Sequence, residues 1–135
     1  MNDKQIGRIG QGLLIYLGIG DDDGTEDIEY LSTKIGNLRI FPDENNAMNL
    51  SIREIEGSAL VISQFTLLGD VRRGRRPSFA KSMRPEEASR FYESFITCLS
   101  ELGIPCGRGE FGAMMQIQSV NNGPVTILLD SKKTF

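Results

Sequence analysis

Histidine is absent from all 135 residues, and this absence excludes the commonest kinds of hydrolytic machinery. Without imidazole the chain cannot build Ser-His-Asp or Cys-His catalysis, a histidine-ligated zinc site, or an imidazole acid–base step. A hydrolase of this composition suits only a substrate that is already activated, or one that brings its own proton-transfer group.

Cysteine and long apolar runs are also scarce. Cys98 and Cys106 lack CxxC spacing, so we interpret them as reduced packing residues. No stretch approaches the roughly 18 apolar residues of a membrane span, and we expect no leader, no membrane partner and a cytoplasmic location. The carboxylates, including the run DDD, lack ligand spacing, so we expect neither a metal nor a cofactor.

The length fits one domain, residues 1–135, with 15 glycines that indicate tight turns. Apolar periodicity predicts a helix from a Thr25 cap to Gly36 and a second helix over residues 85–103. The predicted strands are GLLIYLGI, NLRIF, SALVISQF, GEFGAMMQIQSV and PVTILLD. This order predicts an α/β fold with a mixed sheet covered by two helices.

The stretch SQFTLLGD places Ser63, Gln64 and Thr66 at the end of an apolar run. A solvated strand end is the simpler interpretation for one such residue, but three polar groups before a Gly-Asp turn favour a site. Backbone N–H groups that are freed where a strand leaves its ladder can point at a developing oxyanion.

The stretch VRRGRRPSF concentrates positive charge in a chain whose net charge is −3. A charge cluster is more often a solvated face than a site. These arginines repel one another, however, and their forked guanidinium groups suit phosphate oxygens, so we expect a nucleic acid or a phosphorylated ligand. Phe79 either stacks on a base or anchors the loop. The arginines are Arg72, Arg73, Arg75 and Arg76.

The stretch NNGPVT, residues 121–126, has two interpretations. It is either an Asn-Gly hairpin turn before an edge strand, or a rigid cis Gly-Pro pair whose two carbonyls act as acceptors.

In their order and spacing, SQFTL, GRRPSF, FGAMMQ and NNGPVT resemble the D-aminoacyl-tRNA deacylase family. The resemblance runs from IGRIGQGLLIYLGI to ILLD. It implies a mostly antiparallel, barrel-like sheet with two packed helices, and a homodimer. It also implies hydrolysis of the ester between a D-amino acid, or glycine, and tRNA, as chiral proofreading in translation. The implied partner is therefore tRNA and not DNA.

The resemblance also assigns roles to residues. Ser63, Gln64, Phe65 and Thr66 would form the catalytic segment, with the oxyanion on the Phe65 and Thr66 backbone N–H groups. Thr66 as a covalent nucleophile is the alternative, but no lysine or histidine in the motif could activate it. The other implied site residues are Gly123, Pro124, Val125 and Thr126 for chiral selection in the partner subunit, Phe111, Gly112, Ala113 and Met115 beside the adenosine, and the four arginines on the tRNA.

Members of this family usually begin with one more strand before the segment that matches MNDKQIGRIG, and that strand is missing here. Either the start was assigned too late, or the chain was trimmed, or the protein tolerates an open sheet edge. Two alternatives to the enzyme stay open. One is a noncatalytic tRNA- or RNA-binding dimer that lost hydrolysis with its first strand. The other is a small-molecule esterase, for which the basic loop would have no use.

Overall fold

The computed structural model describes residues 4–122 and 125–135. Within them the elements are β1 Gly12–Leu17, α1 Thr25–Asn37, β2 Phe41–Pro42, β3 Met48–Leu50, β4 Ser58–Ser63, a 3₁₀ helix Phe65–Leu68, α2 Pro85–Glu101 and β5 Cys106–Arg108. Neither α-helix in the described part of the chain combines the length and the apolar character that crossing a bilayer requires.

The main sheet has the order β1-β4-β5, and its strands are parallel. Leu13 pairs with Ala59, which pairs in turn with Cys106. Parallel pairing follows from the connections, because each neighbouring pair is separated by a crossover that contains a helix. The mixed α/β class is confirmed. The mostly antiparallel, barrel-like sheet is wrong, since the described strands form an open parallel sheet beside one antiparallel pair, β2 and β3.

The core lies between the sheet and the two helices. Tyr92, Phe95 and Leu99 of α2 belong to one buried cluster with Ala59 and Val61 of β4. The α2 residues recur at the spacing of one helix face, and a parallel central strand is buried on both sides. The end of β4, where the candidate site begins, is therefore held by the most buried part of the molecule.

Both predicted helices are present, with one local correction. Gly24 is the N-cap of α1, and Thr25 is the first helical residue. The Gly24 backbone N–H donates to the Asp27 carboxylate at 2.8 Å. The helix start is therefore capped by a carboxylate of the first turn, and not by the Thr25 hydroxyl as predicted. The predicted strand NLRIF is present only from Phe41, in the short hairpin with β3.

The predicted strands GEFGAMMQIQSV and PVTILLD are not strands in the described residues. We call residues 111–122 and 125–129 the C-terminal segment. From 111 to 118 its burial alternates between half-buried and exposed, as the sequence pattern predicts. No backbone hydrogen bond joins residues 114–122 or 125–129 to another described residue, however, so the segment has the alternation of a strand without a ladder. The place beside β4 belongs instead to β5.

Tyr92→Phe should lower the free energy of unfolding by about 1–2 kcal/mol. The Tyr92 hydroxyl donates to the Val61 carbonyl oxygen at 2.7 Å in the core, and phenylalanine leaves that buried acceptor without this donor. Chemical denaturation measures the change. Tyr30→Phe is the control, because the Tyr30 side chain is exposed on α1. Equal stability of the Tyr92→Phe variant and the unmodified protein would contradict the prediction.

Candidate active site and arginine loop

The predicted site segment, residues 63–66, lies where β4 passes into the 3₁₀ helix. The Gln64 N–H donates to the Leu17 carbonyl at 2.8 Å, which ties this point to the end of β1. The Leu67 N–H donates to the Gln64 carbonyl at 3.2 Å, and the Gly69 N–H donates to the Thr66 carbonyl at 3.0 Å. The N–H groups of Phe65 and Thr66 donate to no acceptor in the described residues. A pair of adjacent backbone donors is therefore available here.

Side-chain exposure in this segment rises along the chain. Ser63 and Gln64 are half-buried, whereas Phe65 and Thr66 are exposed. The Gln64 side-chain amide donates to the Thr66 hydroxyl oxygen. An amide N–H cannot accept the hydroxyl proton, so this contact orients Thr66 without activating it as a nucleophile.

The four predicted arginines project from a loop that is closed at its base. We call residues 71–77 the arginine loop. Asp70 and Ser78 close it with two backbone hydrogen bonds of 2.8 and 2.9 Å. Gly74, at φ +67°, allows the turn at the tip, where a side chain would be strained. The arginine loop is exposed throughout and contains no helix or strand, in agreement with the prediction.

One arginine of the loop is engaged within the chain. Arg72 donates to the Asp70 carboxylate through Nε at 2.9 Å and Nη2 at 2.6 Å, and this pairing holds the pKa of Asp70 far below its usual value. The side chains of Arg73, Arg75 and Arg76 form no hydrogen bond or ion pair with another described residue. Sequence reasoning missed Asp70, although its position two residues before an arginine in a turn was a usable signal.

The residues predicted beside the adenosine lie at the start of the C-terminal segment. The ring centroids of Phe111 and Tyr92 are 5.9 Å apart, so Phe111 packs against the α2 side of the core. Ala113 and Met115 are half-buried, and Gly112 is exposed. Alternate residues of this stretch therefore form one inward-facing row.

The motif predicted to select chirality is described only at its two ends. Gly123 and Pro124, and with them the predicted cis bond, lie outside the described residues. On either side of them the Asn121 side-chain amide donates to the Thr126 hydroxyl at 3.1 Å. This bond joins the two described ends of the motif.

A groove of about 1440 Å³ lies beside the predicted site segment and the described ends of the NNGPVT motif. It is lined by β1, by the inner faces of the helices, by Leu67 and Leu68, and by Asn121, Val125 and Thr126. Among the described residues, those of the site segment are not part of this lining. Leu67 and Leu68, directly after the predicted site segment, and Asn121, Val125 and Thr126 of the NNGPVT motif thus line the same groove.

Charged residues at the rim of the groove pair with one another. Lys132 donates to the Asp27 carboxylate at 3.0 Å and lies 3.7 Å from that of Asp23. Hydrogen bonding from the Gly24 N–H lowers the pKa of Asp27, whereas burial raises the pKa of Asp23. No group of three or more metal-binding side chains occurs in residues 4–122 and 125–135. The pairing joins Lys132, near the end of the chain, to α1 and to the turn before it.

Comparison with known proteins assigns the chain to a family. A family model described as D-Tyr-tRNA(Tyr) deacylase matches residues 1–130. A protein named D-aminoacyl-tRNA deacylase from Syntrophobacter fumaroxidans is 56% identical over 135 residues, which cover 100% of this chain and 91% of that protein. Its namesake from Thermosipho africanus is 54% identical over 132 residues, covering 98% and 89%.

Solved structures agree in fold. One titled c-Myc DNA Unwinding Element Binding Protein has a TM-score of 0.83 at 38% identity, over 90% of this chain and 83% of that one. A probable eukaryotic D-amino acid tRNA deacylase has a TM-score of 0.61 at 19% identity over 75% and 59%, which shows the fold alone. The fold is that of a mixed α/β protein, and the family model and the relatives place it in the deacylase class. The chain belongs to the D-Tyr-tRNA(Tyr) deacylase family.

Proposed function

We propose that this protein hydrolyses the ester that joins a D-amino acid, or glycine, to the terminal adenosine of tRNA, as a chiral proofreading enzyme of the cytoplasm. In a chain of this family, the observation that carries the proposal is the pair of backbone N–H groups of Phe65 and Thr66, which donate to no acceptor among the described residues. They lie just beyond the end of β4, whose residues Val61 and Ile62 are buried in the core.

The chemistry needs little from the side chains. An aminoacyl ester is labile because the α-ammonium group withdraws electrons from the carbonyl, and the neighbouring ribose 2′-hydroxyl can help to move a proton. Water attacks the carbonyl carbon, the oxyanion accepts hydrogen bonds from the two N–H groups, and the C–O bond to the ribose breaks as the 3′-oxygen gains a proton. This route requires no histidine, metal or cofactor from the protein.

Selection against L-amino acids would come from a second copy of the chain. In a homodimer, Gly123 and Pro124 of one copy would face the α-carbon held by residues 63–66 of the other, with Val125 and Thr126 supporting the loop. An L side chain would collide with the dipeptide, whereas glycine has only hydrogen there and would be cleaved.

The rest of the tRNA would contact two further regions. Phe111, Gly112, Ala113 and Met115 would wall the adenosine, supported by the contact between Phe111 and Tyr92. The arginine loop would bind backbone phosphates through Arg73, Arg75 and Arg76, whose guanidinium groups have no partner among the described residues.

A comparison of mirror-image substrates tests this function. Each of D-tyrosyl-, L-tyrosyl- and glycyl-tRNA is incubated with the protein. We expect D-tyrosine to be released from the first substrate and glycine from the third, while the L-tyrosyl ester stays intact. Released amino acid is counted against a reaction without protein. Equal hydrolysis of D-tyrosyl- and L-tyrosyl-tRNA would contradict the proposed steric rejection of L-amino acids. Binding without release would favour the noncatalytic RNA-binding alternative, which the exposed arginine loop also fits, and cleavage of simple esters would favour the esterase.

A further inference from the structure

We propose that Phe79 is a positioning residue that couples the arginine loop to the two backbone donors of the candidate site. The proposal rests on the proposed function and deepens it. Phe79 would act through the 3₁₀ helix and would not touch the scissile ester. A shift of the arginine loop on phosphate binding would then change the position of the backbone donors that act in hydrolysis.

The first support is the contact between two aromatic rings. The rings of Phe65 and Phe79 meet edge to face, with centroids 5.1 Å apart and an angle of 67° between their planes. Phe65 is 56% exposed, so the ring has few other neighbours to hold it. Edge-to-face pairs have a preferred geometry, and this contact therefore restricts the orientation of the residue that carries the first donor.

The second support lies at the opposite end of the 3₁₀ helix. A Cβ atom on Gly69 would lie 2.9 Å from Cε1 of Phe79, closer than a side chain permits. The Phe79 ring therefore touches Phe65 at the start of the helix and the glycine just beyond its end. A single turn of 3₁₀ helix has few internal hydrogen bonds, and this external brace keeps its geometry.

The third support is the backbone on either side of Phe79. Ser78, immediately before it, is joined to Asp70 by the two backbone hydrogen bonds that close the arginine loop. The Phe79 carbonyl oxygen accepts from Ser82, through its N–H at 3.1 Å and its hydroxyl at 2.7 Å. Phe79 is thus fixed to the base of the loop, and a shift of the loop moves the ring that braces the donors.

Kinetics of Phe79 variants on D-tyrosyl-tRNA test the connection. Phe79→Ala should lower kcat about 10- to 100-fold with KM within about twofold, because misplaced donors stabilise the transition state poorly while substrate docks as before. Phe79→Tyr keeps the ring and should restore kcat to within about threefold. Tyr30→Ala, which removes an exposed aromatic ring from α1, should leave both constants unchanged.

Amide hydrogen exchange gives a readout that needs no activity. The Leu67 and Gly69 amides, which hold the 3₁₀ helix, should exchange at least about fivefold faster in Phe79→Ala than in Tyr30→Ala. Unchanged exchange would overturn the proposal. So would a raised KM at constant kcat, which would make Phe79 a base-stacking residue. If the unmodified protein fails to hydrolyse D-tyrosyl-tRNA, the proposed function is lost, and the exchange result then decides the coupling by itself.

Discussion

Thr66→Pro should slow the hydrolysis of bound D-tyrosyl-tRNA about 100- to 1,000-fold, whereas Thr66→Ala should slow it less than about tenfold. Proline removes the Thr66 backbone N–H but keeps the carbonyl that accepts from the Gly69 N–H at 3.0 Å. Alanine keeps the N–H and removes only the hydroxyl. The first turn of a helix tolerates proline, so the pair separates the backbone donor from the side chain.

Single-turnover rates measure this difference, with tRNA binding measured separately for each variant. Circular dichroism and the melting temperature check that both variants fold. If Thr66→Ala lost as much activity as Thr66→Pro, the hydroxyl itself would be required and the covalent route would return. If Thr66→Pro kept full activity, the Thr66 N–H would not hold the oxyanion.

The double variant Arg75→Gln/Arg76→Gln should raise the dissociation constant for tRNA about 100-fold at low salt, at about 1.5 kcal/mol for each lost charge-assisted contact. It should also flatten the dependence of log affinity on log salt by roughly 1.4–1.8, because each phosphate contact contributes about 0.7–0.9. Titration at several salt concentrations measures both quantities. Neither side chain has an internal ion-pair partner in the described chain, so both are available to phosphate.

Lys34→Gln/Arg53→Gln is the matched control, because it makes the same change in net charge at exposed positions outside the loop. An equal loss of affinity in the control would mean that total charge, and not the arginine loop, attracts the tRNA. Within the loop, Arg72→Gln should flatten the salt dependence less than Arg75→Gln does. The Asp70 carboxylate already pairs with Arg72 through two hydrogen bonds, which lower the pKa of Asp70.

The helices could be predicted from the sequence because their signals are local. The apolar spacing of α2 and its first-turn proline, Pro85, fix that helix without reference to the rest of the chain. Strand direction is not local. GLLIYLGI and SALVISQF are recognisable as buried strands, but whether they pair in parallel depends on how the chain crosses between them.

The pairing partner of each strand could not be predicted from the sequence either. Cys106–Arg108 is too short and too irregular to predict as a strand, yet it pairs with β4. The alternating stretch that begins at Phe111 has the better pattern and no ladder. In the candidate site, the polar residues of SQFTL were predictable from their position at a strand end. The 3₁₀ turn after them was not, because FTLL reads equally well as more strand.

Over most of its length, the C-terminal segment forms no backbone hydrogen bond with another described residue. This affects the conformational entropy that substrate binding would cost. It carries the proposed adenosine wall and the described ends of the motif proposed to select chirality. Each residue whose backbone becomes fixed there on substrate binding costs about 1–2 kcal/mol of the interaction free energy. If the proposed site binds tRNA through this segment, the complex would be weaker for its contact area as a result, and the spent tRNA would dissociate sooner. Rapid release would suit an enzyme that must inspect many correctly charged tRNAs for each faulty one.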